Sequence, residues 1–277
     1  MRRFKLINAE GSSFDLNDKA AFFHSVDGFG YKEGTQYQQI GTKFYALDEL
    51  FNQGQMSGQI LFAGSDPYKK YREFTRFVRA VPLTLVYELD EVFKVPVRLS
   101  EIGKAELKSS GVYLNCDVTF LATGLFYKTV QKYSETISVG GKVYDYEYPY
   151  SYADVSQNTI VIDSDSYEDS PCKITIFGPT KNPVWKHYVN NELYEIGRYD
   201  GEIPVDHKLV IDSTSIPYSI VEKGVGDDVV ADRYQMCDFT TERFFNLQHG
   251  INRISVTHEG LNTVNMLVEG KISYETV

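Results

Sequence analysis

Cysteine is scarce in this chain and badly placed for cross-linking. There are 3 in 277 residues, Cys116, Cys172 and Cys237. An odd number, far apart, with no Cys-x-x-Cys pair and no Cys/His cluster, excludes a disulfide framework and a zinc site, and a reducing compartment is the simplest reading. Long apolar runs are missing as well. Nothing reaches membrane-spanning length, and the opening Met1-Arg2-Arg3-Phe4-Lys5-Leu6-Ile7-Asn8 lacks the apolar core of a signal peptide. The expectation is a soluble protein made in the cytoplasm, with no membrane contact. Enzyme signatures are equally short: there is no Gly-x-Ser-x-Gly, no His-Glu-x-x-His and no phosphate loop. No catalytic residue, cofactor or metal is therefore expected.

Helical periodicity is also rare, and the one place it shows organises the first half. Ala63-Gly64-Ser65-Asp66-Pro67 ends an extended run at residues 59–62 and supplies a glycine turn, two candidate capping side chains and a proline suited to the first helical position. Tyr68, Tyr71, Phe74, Phe77, Val78 and Val81 then fall on one helical face, with Lys69, Lys70, Arg72, Glu73, Arg76 and Arg79 on the other. Pro82 stops the pattern, and residues 83–87 read as a strand. The expectation is one helix covering the sheet of a β-rich first domain. Its basic face could contact nucleic acid, but the domain has no other basic stripe, so it reads as a solvated or protein-contacting face.

What is abundant is aromatic: 21 Tyr and 17 Phe within a 42% hydrophobic composition. Such mixtures favour strands. The length exceeds one usual core and predicts two domains. Charge divides in the same way. Residues 1–128 hold 16 Lys and Arg against 15 Asp and Glu, whereas residues 129–277 hold 12 against 23. An acidic second half argues against nucleic acid as a partner there. The boundary is expected in a connector at about 129–150, marked by Gly140-Gly141 and a tyrosine-rich run from Tyr144 to Tyr150.

In chain order, residues 4–7 and 13–16 flank Asn8-Ala9-Glu10-Gly11 as a small hairpin. Residues 22–31, aromatic and punctuated by Gly28 and Gly30, read as a packed turn. Phe93, Val95, Val97 and Leu99 alternate with polar residues, and Pro96 puts that strand near an edge. Leu114, Cys116, Val118 and Phe120 alternate likewise, so Cys116 points into a core rather than serving catalysis. Past the connector, short strands at 159–162, 172–177, 207–211, 218–221, 251–257 and 264–268 describe a β-sandwich or jelly roll.

The candidates for chemistry compete with plainer readings. Asp163-Ser164-Asp165-Ser166-Tyr167-Glu168-Asp169 could wrap a hard cation. It lacks the glycine and distal glutamate of a calcium loop and reads as a solvated acidic turn. His207 beside Asp206, His249 beside Gly250 and His258 beside Glu259 sit near no nucleophile motif, and all five histidines read as surface or capping residues. Gly224-Val225-Gly226-Asp227-Asp228 precedes no helix and reads as a loop tip. The single tryptophan, Trp185, with Tyr188, would make a stacking platform for a sugar or a partner if exposed. The competing reading is a core or subunit anchor.

Taken in order, several stretches resemble the distal tail protein (Dit) family of long-tailed phages and prophages. Phe4-Lys5-Leu6-Ile7-Asn8-Ala9-Glu10-Gly11 resembles its first hairpin, Ser25-Val26-Asp27-Gly28-Phe29-Gly30-Tyr31 its glycine-aromatic turn, and Asp66-Pro67-Tyr68-Lys69-Lys70-Tyr71-Arg72-Glu73-Phe74 its helix. Ala122-Thr123-Gly124-Leu125-Phe126-Tyr127 resembles the domain-closing segment, with Leu125 and Phe126 where the family often has proline and tryptophan. Phe177-Gly178, Asn182-Pro183 and Leu247-Gln248-His249-Gly250-Ile251-Asn252-Arg253-Ile254 resemble its galectin-like sandwich. The resemblance implies a mainly β protein: a ring-forming, tube-contacting domain over 1–128 with one α-helix, then a C-terminal galectin-like β-sandwich over 129–277. It implies a homo-hexameric ring at the virion tail tip, joining the tail tube protein to the tail-tip or baseplate proteins and carrying receptor-binding proteins. No catalytic residue comes with it. The alternative from another class is a carbohydrate-binding sandwich acting in host-surface recognition, with Trp185 and Tyr188 as its platform.

Overall fold

The structure is a computed structural model that describes residues 2–30, 35–48, 53–106, 113–136, 158–260 and 264–277. The chain divides into two compact units, Met1–Lys128 with Tyr274–Val277, and Thr129–Ser273. Most of the expected connector, residues 137–150, lies outside the described residues.

In the first unit the strands longer than two residues are β1 (Arg3–Ile7), β2 (Ser13–Asp15), β3 (Ala21–Asp27), β4 (Gln36–Ile40), β5 (Lys43–Asp48) and β6 (Gln55–Ala63). The helix α1 (Pro67–Phe77) follows, then β7 (Leu83–Glu88), β8 (Val92–Ile102), β9 (Tyr113–Ala122) and β10 (Phe126–Tyr133), which begins here. All pairings are antiparallel, in the order β2-β1-β7-β8-β9-β6-β3. Alternation explains the burial. Leu114, Cys116, Val118 and Phe120 of β9 are buried, as are Ile60 and Phe62 of β6 and Leu83 and Leu85 of β7. These residues form one apolar core, and α1 adds Phe74 to it.

The helix starts where local chemistry dictates. Asp66 accepts a hydrogen bond from the Lys69 amide at 2.8 Å, and Pro67 occupies the first turn. Phe74, fully buried, packs edge-on against Phe14 at 5.2 Å and tilted against Phe62 at 5.7 Å. The helix ends at Phe77, so Val81 is 45% exposed and not part of the buried face.

Two expectations for this unit need correcting. Residues 21–27 form the strand β3, with Ala21 and Phe23 inward; its register slips between His24 and Asp27, where Ser25 takes φ 52°, and this hides the alternation. The glycine-aromatic segment does pack as a turn just beyond it. Phe29 lies 5.7 Å from Phe4 and 5.1 Å from Tyr87, while Gly28 sits at φ 95°, where a Cβ would meet the Gln55 carbonyl. Pro96 does not mark an edge, because β8 lies between β7 and β9. The Pro96 carbonyl accepts from Thr123 N, so its missing N–H faces the side where β9 has just ended at Ala122. No ladder bond is lost to β7.

The second unit has two main antiparallel sheets, each with one buried face, the arrangement of a β-sandwich, beside a small two-stranded sheet of Thr180–Lys181 with Glu202–Ile203. One runs Glu135–Thr136, β11 (Asn158–Ser164), β18 (Gly250–Thr257), β13 (Val184–Val189), β14 (Glu192–Arg198). The other runs β17 (Val229–Asp232), β16 (Ser219–Lys223), β15 (Lys208–Asp212), β12 (Ser170–Phe177), β19 (Met266–Tyr274), β10. Inward residues include Ile160, Trp185, Ile254 and Val256 from the first, and Ile174, Ile176, Ile211, Ile220 and Val268 from the second.

Candidate functional site

In the first unit the notable surface is a hairpin absent from the sequence reading. β4 and β5 pair with each other and with no other strand among the described residues. They turn at Gly41, φ 65°, whose carbonyl accepts from the Gln39 side chain at 2.9 Å. Tyr37, Ile40, Phe44, Tyr45 and Leu47 are 50–66% exposed. The register puts Tyr37 and Phe44 on one face and Ile40, Tyr45 and Leu47 on the other, so both faces are apolar. A lone two-stranded hairpin is marginal in water. Large side chains on both sides of one mark a contact surface. The sequence signal was Gly41-Thr42 between two β-prone runs.

The basic face of α1 is solvated, with the ion pairs Lys70–Glu73 at 3.0 Å and Arg72–Asp66 at 4.0 Å.

In the second unit Trp185 is no platform. It is 0% exposed, and its Nε1 donates to the Arg243 carbonyl at 3.2 Å. Its cross-strand partner is Gly197, where a Cβ would fall 2.2 Å from the indole. Tyr188 is half-buried on the opposite face of the strand under the Arg253 guanidinium, 4.5 Å from the ring centroid. The two aromatics cannot share a ligand, so the joint Trp185–Tyr188 contact is withdrawn. Strand alternation, β13 counting inward from Trp185 to His187, is the reason.

His187 also overturns an expectation, being fully buried rather than on the surface. Its Nε2 lies 2.9 Å from Asn252 Oδ1 and its ring stacks on Phe245 at 5.3 Å. His207 pairs with Glu222, not with its neighbour Asp206. Arg233 adds Nε and Nη2 bonds to the same carboxylate at 2.8 and 2.6 Å. Burial alone would raise the Glu222 carboxyl, but the His207 and Arg233 hydrogen bonds outweigh it and hold it below the usual range. His249 stacks on the exposed Tyr167 at 4.0 Å.

The carboxylates of Asp163, Asp165 and Asp169 point outward, and no group of three ligating side chains assembles among the described residues. The three cysteines are buried and form no disulfide. Burial pushes the Cys172 thiol up to about 12 and the Cys237 thiol to about 11, which keeps both protonated and unreactive.

An open groove of about 1180 Å³ also lies in this unit, between the loop at Ile216–Tyr218, the short helical turn Tyr234–Met236 and Arg243-Phe244.

Residues 3–123 match the family described as Distal tail protein, N-terminal domain. The match spans nearly all of the first unit up to Lys128. Among curated proteins no sequence match is found. The fold is similar to a chain of the phage P2 baseplate in its activated conformation with Ca, at 15% identity and TM-score 0.63 over 100% of both chains. It is similar as well to SPP1 Dit (gp 19.1), described as a paradigm of hub adsorption apparatus in Gram-positive infecting phages. There the identity is 10% and the TM-score 0.64, over 96% of this chain and 98% of that one.

Proposed function

We propose that this chain is a structural distal tail protein, a hub of the phage tail, and that it forms a closed homo-oligomeric ring at the virion tail tip, hexameric as the resemblance to that family implies. Residues 1–128 build the ring and meet the tail tube. Residues 129–277 form a galectin-like adaptor that faces outward and carries receptor-binding or baseplate proteins. It has no enzymatic task, and bacterial cytoplasm is where it is made. The observation that carries the reading is the β4–β5 hairpin: five large apolar side chains, exposed on both faces, in the unit that matches the family.

Charge supports the same division. A ring needs a repeating heterologous contact whose rotation closes, and like charge on both faces opposes it. The second half, with 12 Lys and Arg against 23 Asp and Glu, is poorly suited to edge-to-edge packing, while the first half is balanced. The reading of a free carbohydrate-binding protein loses its proposed platform with the burial of Trp185.

The test is Ile40→Asp with Phe44→Asp in the full chain. Both side chains are exposed, so the melting temperature should hold within a few degrees while mass in solution falls from ring to monomer. A ring of unchanged mass and affinity would remove the hairpin from the assembly surface.

A further inference from the structure

The groove in the second unit has a specific chemistry. Three rings line up along it: Tyr218 and Phe244 with centroids 5.1 Å apart, then Phe244 and Tyr234 at 6.2 Å. Tyr218 is 48% exposed, and Ile216 beside it is 93% exposed. The Arg243 guanidinium caps the row, 5.2 Å from the Tyr234 centroid and 4.5 Å from that of Phe239.

The row is held rigidly from below. Trp185 Nε1 fixes the backbone at Arg243, and the next ring, Phe245, is buried, so Phe244 between them is presented to the groove. The turn bearing Tyr234 is held by Arg233 on Glu222 and by Asp200 N on the Met236 carbonyl at 2.9 Å. Asp232 Oδ1 accepts from the Tyr234 amide at 2.9 Å, which orients its carboxylate at the rim. The Gln235 carboxamide and the Tyr218 hydroxyl stand at the same rim with no hydrogen bond among the described residues. Rigid aromatic faces with a few convergent polar groups make a ligand site at low ordering cost.

We infer that this groove binds a neutral glycan, pyranose rings lying on Tyr218, Phe244 and Tyr234 with their hydroxyls bonded to Asp232 and Gln235. A pyranose has an apolar C–H face and a polar rim, matching ring faces edged by donors and acceptors. The Asp232 carboxylate at the rim and the Arg243 charge held between the Tyr234 and Phe239 rings offset each other, favouring an uncharged ligand over a polyanion or a basic peptide. The inference does not depend on the hub reading, since monomer or ring presents the same groove.

The test is saturation-transfer NMR and calorimetry on the full chain with maltotetraose, cellotetraose and the N-acetylglucosamine tetramer as probes. The inference expects at least one to bind. Tyr218→Ala and Gln235→Ala should each weaken that binding, the first by about tenfold or more, with the melting temperature unchanged. Binding by none of the probes overturns it, as does binding that Tyr218→Ala leaves intact. Loss of a bound tail protein in Tyr218→Ala, without glycan binding, would assign the groove to a protein partner and overturn it too. None of these outcomes alters the mass of the assembly, which tests the hub separately.

Discussion

Trp185 and Gly197 make a pair whose energetics can be worked out in advance. Trp185→Ala removes a fully buried indole from the second unit, Thr129–Ser273. Transfer and cavity terms together cost about 3–5 kcal/mol for such a change. At about 2–4 °C per kcal/mol for a domain near this size, that is a fall of roughly 6–20 °C in the melting temperature. Gly197→Ala acts in the opposite sense, placing a Cβ 2.2 Å from Nε1 and Cε2 of Trp185. The indole must shift, at about 1–3 kcal/mol. In the double variant the added methyl enters space the indole has left, and the second cost should fall towards zero. The coupling energy should therefore roughly equal the cost of Gly197→Ala alone, about 1–3 kcal/mol. Urea unfolding of the four proteins, followed by circular dichroism, measures it. Additive effects, or a Trp185→Ala cost under about 0.5 kcal/mol as for an exposed residue, would refute the buried-anchor account.

Further outcomes follow from named contacts. The folded-state pKa of Glu222 lies below its unfolded value, so its stabilisation is complete above the ordinary carboxylate range and is lost as pH falls through the folded pKa. Glu222→Gln should cost about 1.5–3 kcal/mol at neutral pH and flatten the acid limb of a melting-temperature profile; an unchanged acid limb would exclude the group. Asp66→Ala removes the cap on α1 and should cost about 1 kcal/mol in chemical denaturation, with Asp66→Asn nearly neutral.

The elements legible in the sequence were those with a strict local period. The spacing from Tyr68 to Val78 after Asp66-Pro67 gave the helix, and alternation from Leu114 to Phe120 placed β9 and its buried Cys116. Where the period breaks, the reading went wrong: the positive φ at Ser25 disguised β3, and the β13–β14 hairpin was missed although Asn190-Asn191, both at positive φ, is a hairpin-turn dipeptide. Pro96 misled because position within a sheet depends on partners distant in sequence. The site was less legible still. His187 reaches Asn252 across 65 residues and His207 reaches Glu222 across 15, and no local pattern announces either. The groove joins Tyr218, Tyr234 and Phe244 from separate segments, whereas the single tryptophan drew attention by its rarity and lies beneath the surface.

The most direct test of the assembly is negative-stain imaging of the purified full chain, with its mass measured in solution at the same concentration. The account predicts a closed ring with a central channel, the N-terminal units innermost and the second units outside. Monomers at every concentration, or a ring whose inner contacts are made by residues 129–277, would contradict it.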